Sequence, residues 1–291
     1  MGHPERIARI EAIETALDAL SGLNRKTAPM GTKEHAALAH PMEYIDWVES
    51  SVPADGIKQL DSDTHVSPKS YDAAMHAVGA ICSAVDDVLR GNDKTAFCAT
   101  RPPGHHAERE TPMGFCLFGT VAIGAKYALT QGLDRVAIVD FDVHHGNGTQ
   151  DLCWYDERIL FVSSHQMPLW PGTGDAHESG AHNNILNLPL RPMSTGADLI
   201  DAYDKVILPR LQAHEPEMLF ISAGFDAHAD DPLANLNFTT EEFAQITRKL
   251  CDFAKQNCEG RVVSTLEGGY DLDALAESVA AHVNVLMEYG Q

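Results

Sequence analysis

Short apolar runs rich in β-branched residues alternate with longer amphipathic segments along most of this chain. The runs occupy residues 94–99, 136–141, 159–163, 185–188, 218–222 and 262–266. Several of them are apolar at consecutive positions rather than at every second position, which is typical of strands covered on both faces of a parallel sheet. They are therefore predicted to be the strands of such a sheet.

The segments between the runs carry helical periodicity, with apolar residues recurring at three- and four-residue steps. Helices are predicted over residues 71–89, 195–211, 239–253 and 273–287. The chain contains no linker, internal repeat or low-complexity tract. Strand–helix alternation of this kind predicts a single α/β domain over residues 1–291, a three-layer α/β/α fold with a mostly parallel sheet.

The charge balance restricts the partners. Lys and Arg number 21 against 42 Asp and Glu, which leaves a formal charge of −21. A field of this sign repels phosphate backbones and anionic lipid, so nucleic acid and membranes are not expected as partners, and a cationic or neutral ligand is favoured. The chain has no apolar run long enough to span a bilayer and no apolar leader. We therefore expect a cytoplasmic protein whose six cysteines, none in a C-x-x-C pair, are reduced and mostly buried.

Polar clusters follow five of the predicted strands, at the edge where an open parallel sheet binds its ligands. The clusters lie at residues 101–108, 140–148, 163–165, 223–228 and 267–270. Many of the 15 histidines fall in them. One such cluster is more often structural than functional, but five at one sheet edge indicate an active site.

Asp142 and His144 are two residues apart at the end of a predicted strand. Extended backbone places both side chains on one face, so both can reach one metal ion. Asp226, from another strand end, completes a set of two carboxylates and one imidazole with open positions for water and substrate, which is the pattern of catalytic zinc sites. Because two carboxylates acidify bound water less than three histidines do, a separate general base is needed, and His105 and His106 are the candidates.

Five segments resemble the zinc-dependent histone deacetylase family, in the same order along the chain. They read RPPGHHAERETPMGFCLF at 101–118, VAIVDFDVHHGNGTQ at 136–150, PGTG at 171–174, SAGFDAHADDPL at 222–233 and LEGGYD at 266–271. Asn147, where other members carry Asp, resembles class II enzymes and the bacterial histone-deacetylase-like amidohydrolases. The resemblance implies an arginase/deacetylase-like fold and a hydrolase that removes acetyl or other short acyl groups from the ε-amino group of lysine.

The resemblance implies that one Zn²⁺ per chain is bound by Asp142, His144 and Asp226. Family members also bind K⁺ near the zinc through backbone or hydroxyl oxygens. The positions that match those oxygens are Asp140, Asp142, His144, Ser163 and Ser164. A structural K⁺ is therefore expected beside the zinc.

The resemblance also implies the catalytic roles. His106 is the general base that activates water, and either His106 or His105 protonates the leaving amine. Asp140 orients His105, and Asn147 orients His106. Tyr270 donates its hydroxyl to the oxyanion, an effect worth roughly 3–4 kcal/mol in comparable sites. Since some relatives replace this tyrosine and are poor deacetylases, its presence predicts an active enzyme.

A tunnel for the acyl-lysine stem is implied as well. Phe115 and Trp170 flank it, and the backbone of Gly114 lies near the scissile amide. Gly269 belongs to the same lining, and Asp63 stands at the rim, where it binds the substrate backbone. The expected substrate partner is an acyl-lysine peptide or an acetylated polyamine.

Family members usually begin with a strand and a loop upstream of the His3-Pro4-Glu5 motif, and this sequence starts almost at that motif. The family's N-terminal strand is therefore expected to be missing. Such a loss would remove one strand of the sheet and one wall of the pocket.

Three alternative functions share parts of this pattern. An acetylpolyamine deacetylase would use the same catalytic groups, and the acidic charge suits a cationic amine as well as a lysine-rich protein. A non-catalytic acyl-lysine-binding module would have lost a catalytic group, yet His106 and Tyr270 are present. A two-manganese ureohydrolase would need further ligands at positions 146 and 147, where Gly and Asn are poor ones. Acyl-chain preference and oligomeric state stay open.

Overall fold

The computed structural model describes residues 2–290, so Met1 and Gln291, the two ends of the predicted domain, lie outside the described residues. The α-helices are α1 (Ile7–Asp18), α2 (Lys33–Ala36), α3 (Met42–Ser51), α4 (Ser70–Leu89), α5 (Thr120–Thr130), α6 (Asn147–Cys153), α7 (Gly196–Ala202), α8 (Leu208–His214), α9 (Thr240–Asn257) and α10 (Leu272–Tyr289). The strands are β1 (Lys58–Gln59), β2 (His65–Val66), β3 (Thr95–Cys98), β4 (Val136–Asp140), β5 (Ile159–Gln166), β6 (Ile185–Leu190), β7 (Leu219–Ala223) and β8 (Val262–Leu266).

Six strands form one sheet in the order β3-β8-β7-β4-β5-β6, and every neighbouring pair is parallel. Strands β1 and β2 form a separate antiparallel ribbon. Helices cover both faces of the large sheet. The predicted three-layer α/β/α single domain with a mostly parallel sheet is therefore confirmed.

Alternate residues of the central strands enter two different hydrophobic cores. In β4, Val136 and Ile138 belong to a core that also takes in α2 to α6. Ala137 and Val139 belong to the core on the opposite face, with α1, α7, α9 and α10. Both faces of the strand are thus apolar, which explains why these runs lack the alternation of a half-exposed strand.

The predicted helix over residues 195–211 is interrupted in the structure. Between α7 and α8 lies one π-helical segment, Tyr203–Ile207. Pro209, the second residue of α8, has no N–H to donate to the carbonyl of Lys205, and its ring crowds that turn. The backbone widens just before the proline, as a single π-helical turn within an otherwise α-helical stretch.

The strand register brings the polar clusters to one edge of the sheet. Asp140 at the end of β4 pairs with Ser163 of β5 and with Ser222 of β7. Ser222 in turn pairs with Thr265 of β8. Because all these strands run in the same direction, the loops that follow them share one rim.

Two further expectations concern the chain as a whole. All six cysteines are unpaired and buried, as predicted for reduced thiols. Within residues 2–290, the helices are too short or too polar to cross a lipid bilayer.

Candidate active site

The loops after β4 and β7 bring three metal-binding side chains together. Suitable ligand atoms of Asp142, His144 and Asp226 all lie within 4.8 Å of one another. Nδ1 of His144 is 3.2 Å from Oδ1 of Asp142 and 3.1 Å from Oδ2 of Asp226. Both aspartates are fully buried. Two buried carboxylates facing one point are costly without a compensating cation, so this donor set fits a divalent ion such as Zn²⁺.

Backbone amides and glycines hold the two aspartates in place. Gly268 donates its N–H to Oδ2 of Asp142 at 2.8 Å, and Val143 donates its N–H to Oδ1 of Asp226 at 3.0 Å. A Cβ atom on Gly268 would collide with the carboxylates of both aspartates. Glycine is therefore required here by the close approach of the backbone to the ligands.

Two adjacent histidines stand beside this triad with different partners. The ring centroids of His105 and His106 are 3.9 Å apart. Nδ1 of His105 lies 2.9 Å from Oδ2 of Asp140, and Nδ1 of His106 lies 2.8 Å from Oδ1 of Asn147. A carboxylate acceptor stabilises an imidazolium, whereas an amide oxygen leaves the ring neutral with its proton on Nδ1.

The electrostatic surroundings separate the two imidazoles further. Burial, reinforced by the neighbouring His105 and His144, lowers the pKa of His106 well below its usual value. Burial also acts to lower the pKa of His105, but the carboxylates of Asp142 and Asp140 outweigh it and hold that pKa well above the usual value. The pair therefore combines one neutral and one protonated ring at neutral pH, an arrangement suited to accepting one proton and donating another.

Tyr270 follows the Gly268-Gly269 turn after β8, on the same rim of the sheet as the triad. Gly269 adopts φ +120°, a conformation that favours glycine. Tyr270 donates its backbone N–H to Oδ2 of Asp231 at 2.7 Å. Burial raises the pKa of Tyr270 well above its usual value, so the hydroxyl stays protonated and is available as a hydrogen-bond donor.

Aromatic side chains stand on two sides of the site. The Phe115 ring packs edge-on against the Tyr270 ring, with centroids 6.0 Å apart. The Trp170 ring packs against His106 at 4.7 Å and against His144 at 6.0 Å, and 41% of Trp170 is exposed. The two rings therefore contact side chains of the site, and their role as tunnel walls stays a prediction.

The Gly114–Phe115 backbone is hydrogen-bonded to the turn between β1 and β2. Gly114 donates its N–H to Oδ1 of Asp63 at 3.0 Å, and Phe115 donates its N–H to Oγ1 of Thr64 at 3.1 Å. A Cβ atom on Gly114 would strike the His106 ring. Oδ2 of Asp63 makes no hydrogen bond within residues 2–290, so it is available to a ligand at the rim.

The residues expected at the monovalent cation include two members of the triad, Asp142 and His144, together with Asp140, Ser163 and Ser164. Ser163 and Ser164 are buried in β5. Oγ of Ser164 donates to the carbonyl oxygen of Asp140 at 3.3 Å, and Oγ of Ser163 lies 3.0 Å from Nδ1 of His165. Asp142 and His144 lie in the loop that follows Asp140, the last residue of β4.

Three charged residues of this region had no role in the sequence analysis. Arg9 and Glu267 are fully buried, or nearly so, and Asp231 is 7% exposed. Glu267 lies inside the segment LEGGYD and Asp231 inside SAGFDAHADDPL, so their place in segments that carry the family resemblance was the available signal. Arg9 lies in a helix whose periodicity gave no such signal.

Known proteins resemble this chain in both sequence and structure. The family model described as the histone deacetylase domain matches residues 3–286. An uncharacterised protein of Synechocystis sp. is 43% identical over 98% of this chain and 94% of its own length. Histone deacetylase 10, chloroplastic, of Oryza sativa subsp. japonica is 38% identical over 96% of this chain and 68% of its own length.

The chain belongs to the histone deacetylase family. The crystal structure of the HDA15 HD domain superposes on this family member with a TM-score of 0.94 and 34% identity, covering 99% of this chain and 83% of that one. The predicted family resemblance is thereby confirmed, and membership makes the chain a hydrolase of the deacetylase type. The cytoplasmic location stays a prediction, since the rice relative is named as chloroplastic.

Proposed function

We propose that this histone deacetylase family member is a metal-dependent lysine deacylase, which hydrolyses the amide between an acetyl or other short acyl group and the lysine ε-amino group. The pairing of His105 with Asp140 and of His106 with Asn147, beside the buried triad, carries the proposal. Amide hydrolysis needs one group that accepts a proton from water and one that gives a proton to the leaving amine. Two imidazoles in different protonation states supply both.

The ion proposed for the Asp142–His144–Asp226 triad is one Zn²⁺ per chain. When bound, the ion polarises the amide carbonyl and makes water more acidic. Two carboxylates and one imidazole are ligands that zinc takes in catalytic sites. A structural K⁺ is proposed beside it, on oxygens of Asp140, Asp142, His144, Ser163 and Ser164.

His106 acts as the general base. Its low pKa leaves Nε2 able to accept a proton from water, while its Nδ1–H donates to Asn147 and fixes the tautomer. His105, held protonated by Asp140, delivers a proton to the leaving nitrogen, and His106 is the other candidate for that step. In sum, one amide and one water become one protonated amine and one carboxylate.

Tyr270 stabilises the oxyanion that forms when water attacks the carbonyl. Its hydroxyl is protonated at neutral pH and makes no hydrogen bond to the rest of the described chain, so it is free to donate to substrate. A donor placed in advance at the site of developing charge needs no reorganisation during the reaction.

The rim suits an acylated lysine within a peptide. Phe115 and Trp170 would enclose the methylene stem, next to the backbone of Gly114 and Gly269. The free Oδ2 of Asp63 would accept an N–H of the peptide backbone. The formal charge of −21 attracts basic sequences.

An acetylated polyamine is the second candidate substrate. The same charge favours any cationic amine, and Trp170 at the entrance also offers an aromatic face to a cation. An acyl-lysine-binding module without activity is less well supported, because the side chains proposed for hydrolysis, His105, His106 and Tyr270, are all present. A two-metal ureohydrolase is also less well supported. The segment Asp226-Ala227-His228-Ala229-Asp230 resembles the metal motif of such enzymes, but the Asp230 side chain is 75% exposed.

The deciding experiment measures acetate release from an ε-acetyl-lysine peptide and from N-acetylputrescine by the same metal-loaded protein. We expect faster turnover of the peptide. Faster turnover of N-acetylputrescine would assign the chain to polyamines with the same catalytic groups. Metal-loaded protein that releases neither acetate from these two substrates nor a longer short-chain acid from the matching acyl-lysine peptides would contradict the proposal.

Matched variants give this experiment an internal control. His106→Gln removes the proposed base and should abolish measurable turnover without loss of metal. His177→Gln changes an exposed histidine that none of the proposed chemical steps uses and should leave turnover unchanged. The metal content of both proteins is measured before each assay.

A further inference from the structure

Glu267 is a buried carboxylate that none of the proposed chemical steps uses. It follows Leu266, the last residue of β8, directly before the Gly268-Gly269-Tyr270 turn, and is 1% exposed. Burying a carboxylate costs free energy unless its oxygens accept several hydrogen bonds.

The partners of the Glu267 carboxylate lie on the loop that carries both catalytic histidines. Oε2 accepts the backbone N–H of Gly104 at 2.7 Å and that of His105 at 3.1 Å. Oε1 accepts the Ser222 hydroxyl from β7 at 3.3 Å. One carboxylate oxygen thus satisfies two consecutive amides of a loop that contains neither helix nor sheet to satisfy them.

The backbone of Glu267 is held independently of its side chain. Its N–H donates to the carbonyl oxygen of Ala223 at 2.9 Å, and its carbonyl oxygen accepts Nη2 of Arg9 at 2.5 Å. The next residue, Gly268, donates its N–H to Asp142 of the triad. Glu267 therefore connects a rigid strand end to the histidine loop, next to the residues that hold Asp142 and present Tyr270.

We propose that Glu267 is a positioning residue: its carboxylate, through the N–H groups of Gly104 and His105, sets where the His105–His106 pair stands relative to the metal-binding triad and Tyr270. This inference rests on the proposed function, because it assumes that the two histidines transfer protons. Within residues 2–290, the Glu267 side chain makes no hydrogen bond to Asp142, His144 or Asp226. A displacement of about 1 Å in a catalytic group can lower the rate about 10²-fold, so the length of this side chain matters more than its charge.

Two conservative variants separate length from charge. Glu267→Gln keeps the length and an acceptor oxygen for both amides, and its new N–H₂ group can donate to Ser222. Glu267→Asp keeps the charge but is one methylene shorter, so its carboxylate withdraws from Gly104 and His105. We expect kcat of Glu267→Gln within about fivefold of the parent, and kcat of Glu267→Asp lower by about tenfold or more with KM unchanged.

Hydrogen exchange of the peptide covering residues 101–109 reports on the loop directly. Faster exchange is expected in Glu267→Asp and parent-like exchange in Glu267→Gln, because only the shorter side chain releases the two amides. Ser222→Ala is the control, since it removes the third partner without touching the loop, and its exchange and kcat should stay close to the parent values. Metal content and the unfolding midpoint are recorded for all four proteins.

The outcomes separate this inference from the proposed function. Parent-like kcat and exchange in Glu267→Asp would overturn the inference, and so would a loss of kcat in Glu267→Gln equal to that in Glu267→Asp. A parent protein that releases no carboxylic acid from any short-chain acyl-lysine would instead contradict the proposed function. Exchange at residues 101–109 is measurable in either case.

Discussion

The guanidinium carbon of Arg9 lies 4.9 Å from the centre of the Tyr270 ring. Arg9 is fully buried in α1, and it donates Nε to the carbonyl oxygen of Gly269 at 2.6 Å and Nη2 to that of Glu267 at 2.5 Å. The cation thus stacks on the phenol ring and anchors the turn before it. A residue near the N-terminus holds the proposed oxyanion donor in place.

Arg9→Lys should lower kcat about tenfold or more, because the compact ammonium lacks the planar fork whose Nε and Nη2 reach the two carbonyls where they now stand. If one of the two buried carbonyls is left without a hydrogen bond, the free energy of unfolding also falls by about 1–3 kcal/mol. Steady-state kinetics and urea unfolding measure the two effects. Arg6→Lys, an exposed change at the start of the same helix, is the control, and equal kinetics for both variants would refute the anchoring role.

Asp142→Ala should lose both the metal and the activity, because one buried carboxylate and one imidazole remain as ligands. Metal analysis after dialysis measures the loss. Asp63→Ala removes a carboxylate at the rim instead, so it should keep the metal and raise KM. Full metal content in Asp142→Ala would show that the ion binds elsewhere.

Tyr270→Phe should keep the metal and the fold while kcat falls about 10²–10³-fold, as for loss of one oxyanion donor. No partner of the Tyr270 hydroxyl lies within residues 2–290, so its removal leaves no buried group unpaired. Kinetics combined with thermal unfolding measure both quantities. The assignment fails if kcat is unchanged.

Asp231→Ala should lower kcat, because Oδ2 of Asp231 accepts the N–H groups of Tyr270 at 2.7 Å and of Asp271 at 3.3 Å. The loss expected is about tenfold, through displacement of Tyr270 rather than through substrate contact. Its neighbour Asp230 is 75% exposed and provides the matched control, Asp230→Ala. The two variants should differ in kcat at equal metal content, and identical kcat values would argue against this anchor.

His282 should make the protein less stable in acid. Burial lowers the pKa of His282 to about 3, while the unfolded chain has the ordinary value of 6.5. The unfolded state therefore binds a proton that the folded state refuses as the pH falls below 6.5, and the free energy of unfolding drops by about 2 kcal/mol between pH 7 and pH 5.

Urea unfolding at the two pH values tests this prediction. His282→Gln can still bond Thr247 and Ser264, the partners of His282, and should show a smaller drop than the parent. The exposed His177→Gln variant should show the parent's drop. An equal drop in all three proteins would mean that other groups cause the acid sensitivity.

The large sheet was predictable because its signal is local. All six of its strands were predicted from their apolar runs, although β5 continues three residues farther, through Ser164, His165 and Gln166. Helix α5 was not predicted, because it is buried on nearly all sides and has little polar face to give a period. Helix α1 was missed because the buried Arg9 occupies a position where the pattern requires an apolar residue.

The sequence by itself determined the fold class, the family and which side chains stand at the strand ends, because strand and helix periodicity and motif order are properties of neighbouring residues. Tertiary structure decided which backbone groups the buried charged side chains contact. Arg9 reaches Gly269 across 260 residues of chain, and Glu267 reaches Gly104 across 163. Such contacts depend on how whole layers pack, and no local pattern encodes the distance between two residues so far apart in the chain.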